Sequence, residues 1–521
     1  MQEGLGVWAR KWHVLTRIGA MTTQGTQVRF ESDGQLEQLR DLLRRVSFDE
    51  VSLQQCCGVT DLRRVAPEDR GNVLHRLDDG GALGTVARVM LFGLPTARSR
   101  LADAIAPMTP TDWETAGLIA RRGDEVTAQA SLFPIEDLVL LTDRPVVRNE
   151  PHATDHVMAV GGGTKLLLAA MIRRPCGRLV DLGTGCGVFA LAGARFSHRS
   201  LGVDLNERAV HYARINARLN DIATATFQAS DFHGLLETAD GPGSFDRVIA
   251  QPAFVIVPER RYLYRDAAGR GDESIRRVVE LAMSLLAEGG CAQLVVNWIH
   301  PKGQNADQRL ASWFDGHDCD AWVLRSRQDD ARDYAARWIQ TPATTSSRRA
   351  LETELDRWAA FYDSQGIEAV SSGVMTLRKR SGAPNWFHVA AAPEHIIGFA
   401  SDHVLRVIEG LDFLEGRSDE DLLAASLRVP PDLRQDQRWQ PTAGGWQLEQ
   451  CSSRLIDGLA YEIHHDAPIA ELLRGCNGET PFGDIVTSLP SEPGATPGDI
   501  RQRCVSIARM LLSHGVLLPP G

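Results

Sequence analysis

The stretch Val180-Asp181-Leu182-Gly183-Thr184-Gly185-Cys186-Gly187 reads as an apolar strand that runs into a glycine turn and opens a helix. Glycines at 183, 185 and 187 let the backbone take conformations closed to other residues and approach a ligand with no Cβ in the way. Such a loop can cradle a cofactor, and the same spacing also occurs in dinucleotide-binding folds and in ordinary tight turns. The next strand ends in a carboxylate, Asp204, that can accept both hydroxyls of a ribose. A third strand, within Thr224–Phe232, presents Asp231, placed to accept from an adenine amino group. A fourth ends at Gln251-Pro252-Ala253-Phe254. A nicotinamide enzyme explains the first two features but not the last.

Taken in this order, the four features resemble the class I S-adenosylmethionine-dependent methyltransferases. More narrowly they resemble the branch whose fourth strand ends in Asn-Pro-Pro-Tyr/Phe, which includes release-factor glutamine, rRNA guanine and DNA adenine methyltransferases. The resemblance is specific over residues 150–300 and extends to 390. The stretches DHVMAVGGGTKLL, YLYRDAAGRGDE and LVVNW further resemble a multidomain bacterial methyltransferase group. It implies a Rossmann-like α/β fold with a mostly parallel seven-stranded sheet, and S-adenosylmethionine as cofactor with S-adenosylhomocysteine as its product. By this resemblance Asp181, Gly183, Thr184, Gly185 and Gly187 line the methionine part of the cofactor, Asp204 with Leu205 holds the ribose, and Asp231 with Phe232 frames the adenine.

The same resemblance gives the fourth-strand motif a role. An exocyclic amine or amide nitrogen is a poor nucleophile because its lone pair is delocalised. Accepting its N–H hydrogens with a side-chain amide and a backbone carbonyl favours the pyramidal nitrogen needed for in-line attack, and an aromatic ring fixes the planar acceptor. Gln251, the carbonyl of Pro252, and Phe254 fill these roles. Gln replaces the family's Asn at 251 and Ala replaces Pro at 253, so the carboxamide is one methylene longer and a fixed φ is lost. These departures leave open a more basic amine, for which Tyr262, Tyr264, Asp266, Asp272 or His300 would remove the proton. Tyr262, Tyr264, Asp266, Asn297 and Trp298 are the expected substrate-side residues, although Asn297 and Trp298 could equally terminate a strand. Asp155, His156 and Gly161–Lys165 either cover the cofactor or merely connect.

These residues must be positioned by alternating elements. RLVDLGTG, RSLGVDL, TATFQASD, FDRVIAQP and CAQLVVNW read as strands, with NERAVHYARINARLN and ESIRRVVELAMSLLAEGG as helices between them. That alternation argues for a parallel sheet with crossovers on both faces. IEAVSSGVMTLRKR followed by NWFHVAA reads as a closing antiparallel hairpin. RDYAARWIQTP and ETELDRWAAFYDSQG read as inserted helices whose aromatics are packing residues. Residues 22–149 read as a helical, winged-helix-like domain, 150–392 as the cofactor-binding domain, and 393–521 as a small winged-helix-like domain. Residues 1–21 are read as an upstream start or a tail, since Met21 is a second Met.

With 521 residues, 43% apolar and 24% charged, the chain is of ordinary globular composition. Its net charge of −11 removes a general attraction to nucleic acid or anionic membrane. Nine scattered cysteines without a CxxC pair read as reduced thiols in a cytoplasmic protein, and His and Cys do not cluster at metal-ligand spacing. No apolar run reaches the ~18 residues of a membrane span. The expected acceptor is therefore an amine or amide of a peptide, protein or small molecule, ranked ahead of RNA. A non-catalytic scaffold that retains the fold is the reading from another class.

Overall fold

The computed structural model describes residues 27–62, 69–145, 153–231, 235, 241–267, 269–339, 348–442, 444–490 and 496–521. The chain divides into two compact units, one of residues 1–164, 175–313 and 328–372, the other of 165–174, 314–327 and 373–521.

In the first unit the N-terminal part begins with helices, among them Gly81–Met90, Arg98–Ile105 and Pro110–Thr115. Strands Thr96–Ala97, Ile119–Arg122 and Glu125–Ala128 form a small antiparallel sheet beside them. A hairpin, Ala130–Ile135 with Leu138–Asp143, follows. The expected boundary at 149/150 does not coincide with the division into units. The side chains of Asn216 and Asn220, one helical turn apart, each bond both the N–H and the C=O of a hairpin residue. Asn216 takes Leu141 at 2.7 and 2.9 Å, and Asn220 takes Val139 at 2.8 Å both ways. Each carboxamide does what a neighbouring strand's peptide would do, so the hairpin is tied to the helix that carries them.

The strands of the central sheet are β1 (Cys176–Leu182), β2 (Ser197–Asp204), β3 (Ala225–Ala229), β4 (Phe245–Ala250), β5 (Leu286–Pro301), β6 (Cys319–Asp330), β7 (Ile367–Lys379) and β8 (Phe387–Ala391). Their order is β8-β6-β7-β5-β4-β1-β2-β3. Strands β3, β2, β1, β4 and β5 run parallel, neighbour to neighbour. Leu182 sits opposite Val203 on one side and Ala250 on the other. The glycine turn, Asp204 and Gln251 therefore all leave the sheet at one carboxyl edge, where ligands of such sheets bind.

Helices α1 (Gly162–Ala170), α2 (Val188–Gly193), α3 (Glu207–Leu219) and α4 (Glu273–Leu285) flank the strands. In α4 the spacing of Ile275, Val278, Val279, Ala282 and Met283 buries one stripe. The sequence pattern runs this helix to Gly290, whereas the chain is already extended at Leu286 opposite Phe245. Gly289 has a positive φ, and a Cβ at Gly290 would stand 2.8 Å from the Ala287 carbonyl oxygen, so only glycines make this turn.

The sheet has eight strands where seven are expected. The expected closing hairpin is not formed either: β8 pairs in parallel with β6, with Ala321 opposite Phe387 and Arg325 opposite Ala391. The insert before β7 supplies α5 (Ala331–Trp338) and α6 (Arg348–Gln365).

The second unit ends in a three-stranded antiparallel sheet of β9 (Leu433–Thr442), β10 (Gly445–Leu455) and β11 (Glu462–His465), in the order β9-β10-β11. Helices Ala467–Gly475, Phe482–Ser488 and Pro497–Ser513 follow and share a core with Leu422, Leu427 and Leu455. The sequence pattern gives no sign of the long β9–β10 hairpin, because almost every residue of β9 is exposed and neither face alternates. All nine cysteines are free thiols. No described helix is long and apolar enough to cross a membrane.

Candidate functional site

At the carboxyl edge of the first unit's sheet lies a cavity of about 460 Å³, within the size range of small-molecule sites. Gly183, Thr184, Gly185, Asp204 and Leu205 form one wall. Gly183 and Gly185 have φ of 75° and 54°, in the left-handed region that favours glycine. Among the described residues no atom lies within 4 Å of where a Cβ at Gly185 would stand, so bare main chain faces the cavity. Asp204 Oδ2 accepts the Gly185 N–H at 2.9 Å, and Oδ1 accepts the Asn206 N–H at 2.9 Å. Burial nonetheless pushes its carboxyl above the usual range. Such a carboxylate retains lone pairs for a pair of hydroxyls.

Asp181 and Gly187 stand behind this wall. Asp181 is fully buried and accepts the Thr184 hydroxyl at 2.7 Å and the Ala190 N–H at 3.2 Å, both on Oδ2. Burial pushes its carboxyl up to about 7. It holds the turn to the first turn of α2 and is not on the cavity wall. Gly187, with φ of 89°, packs where a Cβ would meet Ala213 and Phe227 at 3.0 and 3.1 Å.

Across the cavity stand Gln251, Pro252, Ala253 and Phe254. A Cβ at Gly183 would be 3.8 Å from the Gln251 carbonyl oxygen, so the glycine turn and the end of β4 are in direct apposition. The Gln251 side chain reaches back to α1, where the Thr164 hydroxyl donates to Oε1 at 2.8 Å. Phe254 meets Trp338 of α5 edge to face, with ring centroids 6.0 Å apart. Tyr264, whose phenol burial pushes up, completes this side with Leu263 and Arg260. Burial of this kind favours the protonated phenol.

Residues 157–317 match the family model of the methyltransferase small domain. The segment is a methyltransferase domain. Over 99 residues the chain is 36% identical to the ribosomal protein L11 methyltransferase of Thermus thermophilus, a match covering 18% of this chain and 37% of that one. Over 132 residues it is 26% identical to the release factor glutamine methyltransferase of Buchnera aphidicola, covering 23% of this chain and 46% of the relative. The chain thus spans less than half the length of these curated relatives. Among solved structures the YcgJ protein of Bacillus subtilis is similar at 16% identity and a TM-score of 0.28, over 40% of this chain and 94% of that one. Residues 407–519 match a second family model, Domain of unknown function (DUF7782).

Several expected site residues of the methyltransferase domain lie off the cavity wall. Asp231 follows the end of β3 beside Asp204, whose carbonyl accepts the Ser230 N–H at 3.0 Å, but it is not on the wall. Phe232 lies outside the described residues. Tyr262 packs against Tyr264, with centroids 5.8 Å apart. Asp266 adjoins the cavity but is fully buried, and its oxygens are taken by the Arg261 and Tyr262 N–H groups and by Arg265 at 2.6 Å. That carboxylate closes the 258–267 loop. Asp272 is likewise bound by Arg309 at 2.6 and 2.8 Å and by the Ile299 N–H, and His300 bonds Ser371.

Asn297 and Trp298 are in the core. Asn297 Nδ2 donates to the Tyr334 hydroxyl oxygen at 2.7 Å, which also accepts the Ile256 N–H at 3.1 Å, while the Tyr362 hydroxyl donates to the Ile256 carbonyl at 2.9 Å. These bonds lock α5 and α6 onto the segment just past Phe254. The insert's aromatics divide accordingly: Tyr334, Trp358 and Tyr362 are buried packing residues, as the sequence reading has them, but Trp338 lines the cavity. His156 also lines it, 5.3 Å from the Tyr264 ring. Sequence reasoning misses Trp338, since nothing local separates it from its packed neighbours.

Proposed function

We propose that the chain is an S-adenosylmethionine-dependent N-methyltransferase whose acceptor is an amine or amide nitrogen of a peptide or protein. The observation that carries this reading is the apposition, in one cavity, of a bare glycine turn with Asp204 and a carboxamide–carbonyl pair at Gln251 and Pro252. Gly183 and Gly185 leave room for the donor's methionine part, Asp204 accepts its ribose hydroxyls, and Leu205 gives an apolar shelf. When bound, S-adenosylmethionine supplies an electrophilic methyl on a sulfonium sulfur and leaves as S-adenosylhomocysteine.

The chain's own work is on the nitrogen. A carboxamide oxygen has two lone pairs, so Gln251 Oε1 can hold Thr164 and still accept one acceptor N–H. The Pro252 carbonyl accepts the other. Together they hold the nitrogen lone pair toward the donor, a bond pattern that gains strength as positive charge develops there. Phe254 and Trp338 flank the acceptor group and limit its orientation. The relatives named for ribosomal protein L11 and for release-factor glutamine favour a protein acceptor over RNA.

Isothermal titration with S-adenosylhomocysteine tests the donor half. Incubation of the full chain with methyl-labelled S-adenosylmethionine and a bacterial extract, followed by mass spectrometry of proteins and RNA separately, tests the acceptor class. Label confined to RNA overturns the protein reading, and absence of S-adenosylhomocysteine binding overturns the enzyme reading.

A further inference from the structure

The Gly161-Gly162-Gly163-Thr164 segment precedes the sheet in sequence, and Gly161 and Thr164 line the cavity beside Gln251. Four observations bear on the Gln251 side chain and its partner Thr164. The Thr164 hydroxyl donates to Gln251 Oε1 at 2.8 Å. Thr164 Oγ1 in turn accepts the Gly161 N–H at 3.2 Å, which fixes the direction in which its own hydrogen can point. Gly163 leaves the space that the amide nitrogen uses: a Cβ there would stand 3.3 Å from Gln251 Nε2 and 3.2 Å from Val295 Cγ1. Thr164 is itself buried, while Gln251 is half-buried on the cavity wall.

We infer that residues 161–164 form a seat for the Gln251 carboxamide, with Thr164 as a positioning residue that sets which face of that amide meets the acceptor nitrogen. The inference rests on the N-methyltransferase reading for its consequence, but the seat is a property of the chain alone. Physically it answers the extra methylene. A glutamine has one more rotatable bond than an asparagine, so its amide samples more orientations, and a buried donor on Oε1 together with a missing Cβ beside Nε2 selects one of them. Hydrogen bonding to Oε1 at one lone pair leaves the other for the acceptor, and Gln251 is on the cavity wall. A helix-capping role for Thr164 would account for its bond to Gly161 but not for a hydroxyl proton aimed at an amide that comes from another strand.

The test compares the full-length wild type with Thr164→Val, which keeps the shape and removes the hydroxyl, and with Thr164→Ser, which keeps the hydroxyl. Crystal structures come first. The seat requires Gln251 Oε1 within hydrogen-bond distance of residue 164 in the wild type and the serine variant, and a turned or disordered carboxamide in the valine variant. An unmoved Gln251 in Thr164→Val overturns the inference whether or not any turnover is found. If that variant does not fold, a Gln251 carboxamide turned away from the hydroxyl of Thr164→Ser does the same. Kinetics follow on the acceptor found by labelling. A misplaced amide should lower kcat by about tenfold to a hundredfold in Thr164→Val with KM and S-adenosylhomocysteine affinity nearly unchanged. Thr164→Ser should recover most of the rate. A valine variant that loses thermal stability but keeps its kcat assigns Thr164 to capping alone. Failure of the wild type to bind S-adenosylhomocysteine sinks the proposed activity and leaves the crystallographic arm to decide the seat.

Discussion

The carboxylate of Asp204, at the end of β2, accepts the main-chain N–H of Gly185, in the turn after β1, at 2.9 Å. The two strands that build the donor wall are thus joined at the point where a ligand would meet them. Replacing Asp204 by Ala removes that bond and the acceptor for the ribose. At about 1.5–3 kcal/mol for each charged hydrogen bond, S-adenosylhomocysteine affinity should fall at least tenfold in calorimetric titration. Far-ultraviolet circular dichroism should be unchanged, because β2 keeps its ladder to β1 and β3. Unaltered affinity removes Asp204 from the site.

On the proposed reading Gln251 faces the acceptor and not the donor. Gln251→Ala should therefore bind S-adenosylhomocysteine as the wild type does and lose about a hundredfold or more in transfer rate, measured by release of labelled product. Full turnover in that variant excludes Gln251 from the mechanism.

Trp338 is the insert's contribution to the cavity. Trp338→Ala deletes an edge-to-face partner of Phe254 and a large part of the acceptor wall. Its KM for the acceptor should rise, with little effect on cofactor affinity. A weakened cofactor affinity with an unchanged KM would place the indole on the donor side instead.

Burial of Asp181 moves its carboxyl up to about 7. The folded state therefore holds this proton more tightly than the unfolded chain, where an aspartate titrates near ~3.9. The sign follows from linkage: the contribution to stability is complete below about pH 4 and declines as pH rises toward 7, by at most about 1.4 kcal/mol per unit. Asp181→Asn lacks the proton and should lack this slope. Denaturation midpoints measured at pH 5, 6, 7 and 8 for both proteins check it, and parallel curves refute it.

In the second unit Asp320 is fully buried and bonded by Arg378 at 2.9 Å, by Arg380 at 2.7 and 2.8 Å, and by the Trp386 N–H at 3.2 Å. Asp320→Ala leaves two guanidinium groups short of their shared anion. Both groups are partly exposed and keep Asp412 beside them, so the loss costs about 1–3 kcal/mol, which urea unfolding would detect as a lower midpoint.

Sequence pattern carries the central sheet because its strands are short apolar runs bounded by glycine, acid or proline, and because β1, β2 and β4 deliver their site residues straight past their ends. Gly183, Gly185, Asp204 and Gln251 are legible for that reason. The contacts that refine the site are not local. Thr164 and Gln251 are far apart in the chain, and no spacing rule links a hydroxyl on one helix to an amide on a distant strand. Asn297 lies at the end of an apolar strand, a place that suits a ligand contact, yet the Tyr334 hydroxyl claims it. The β9–β10 hairpin escapes notice because it is polar along most of its length, with Trp446 72% exposed. The parallel pairing of β8 with β6 is equally silent, since an alternating run does not say which neighbour it will choose.

On the proposed reading the donor wall is main chain, one acid and the Leu205 shelf, whereas the acceptor side borrows an indole from α5, a helix anchored to Ile256 through Tyr334. Remodelling that single helix would then change the recipient and leave the methyl supply intact.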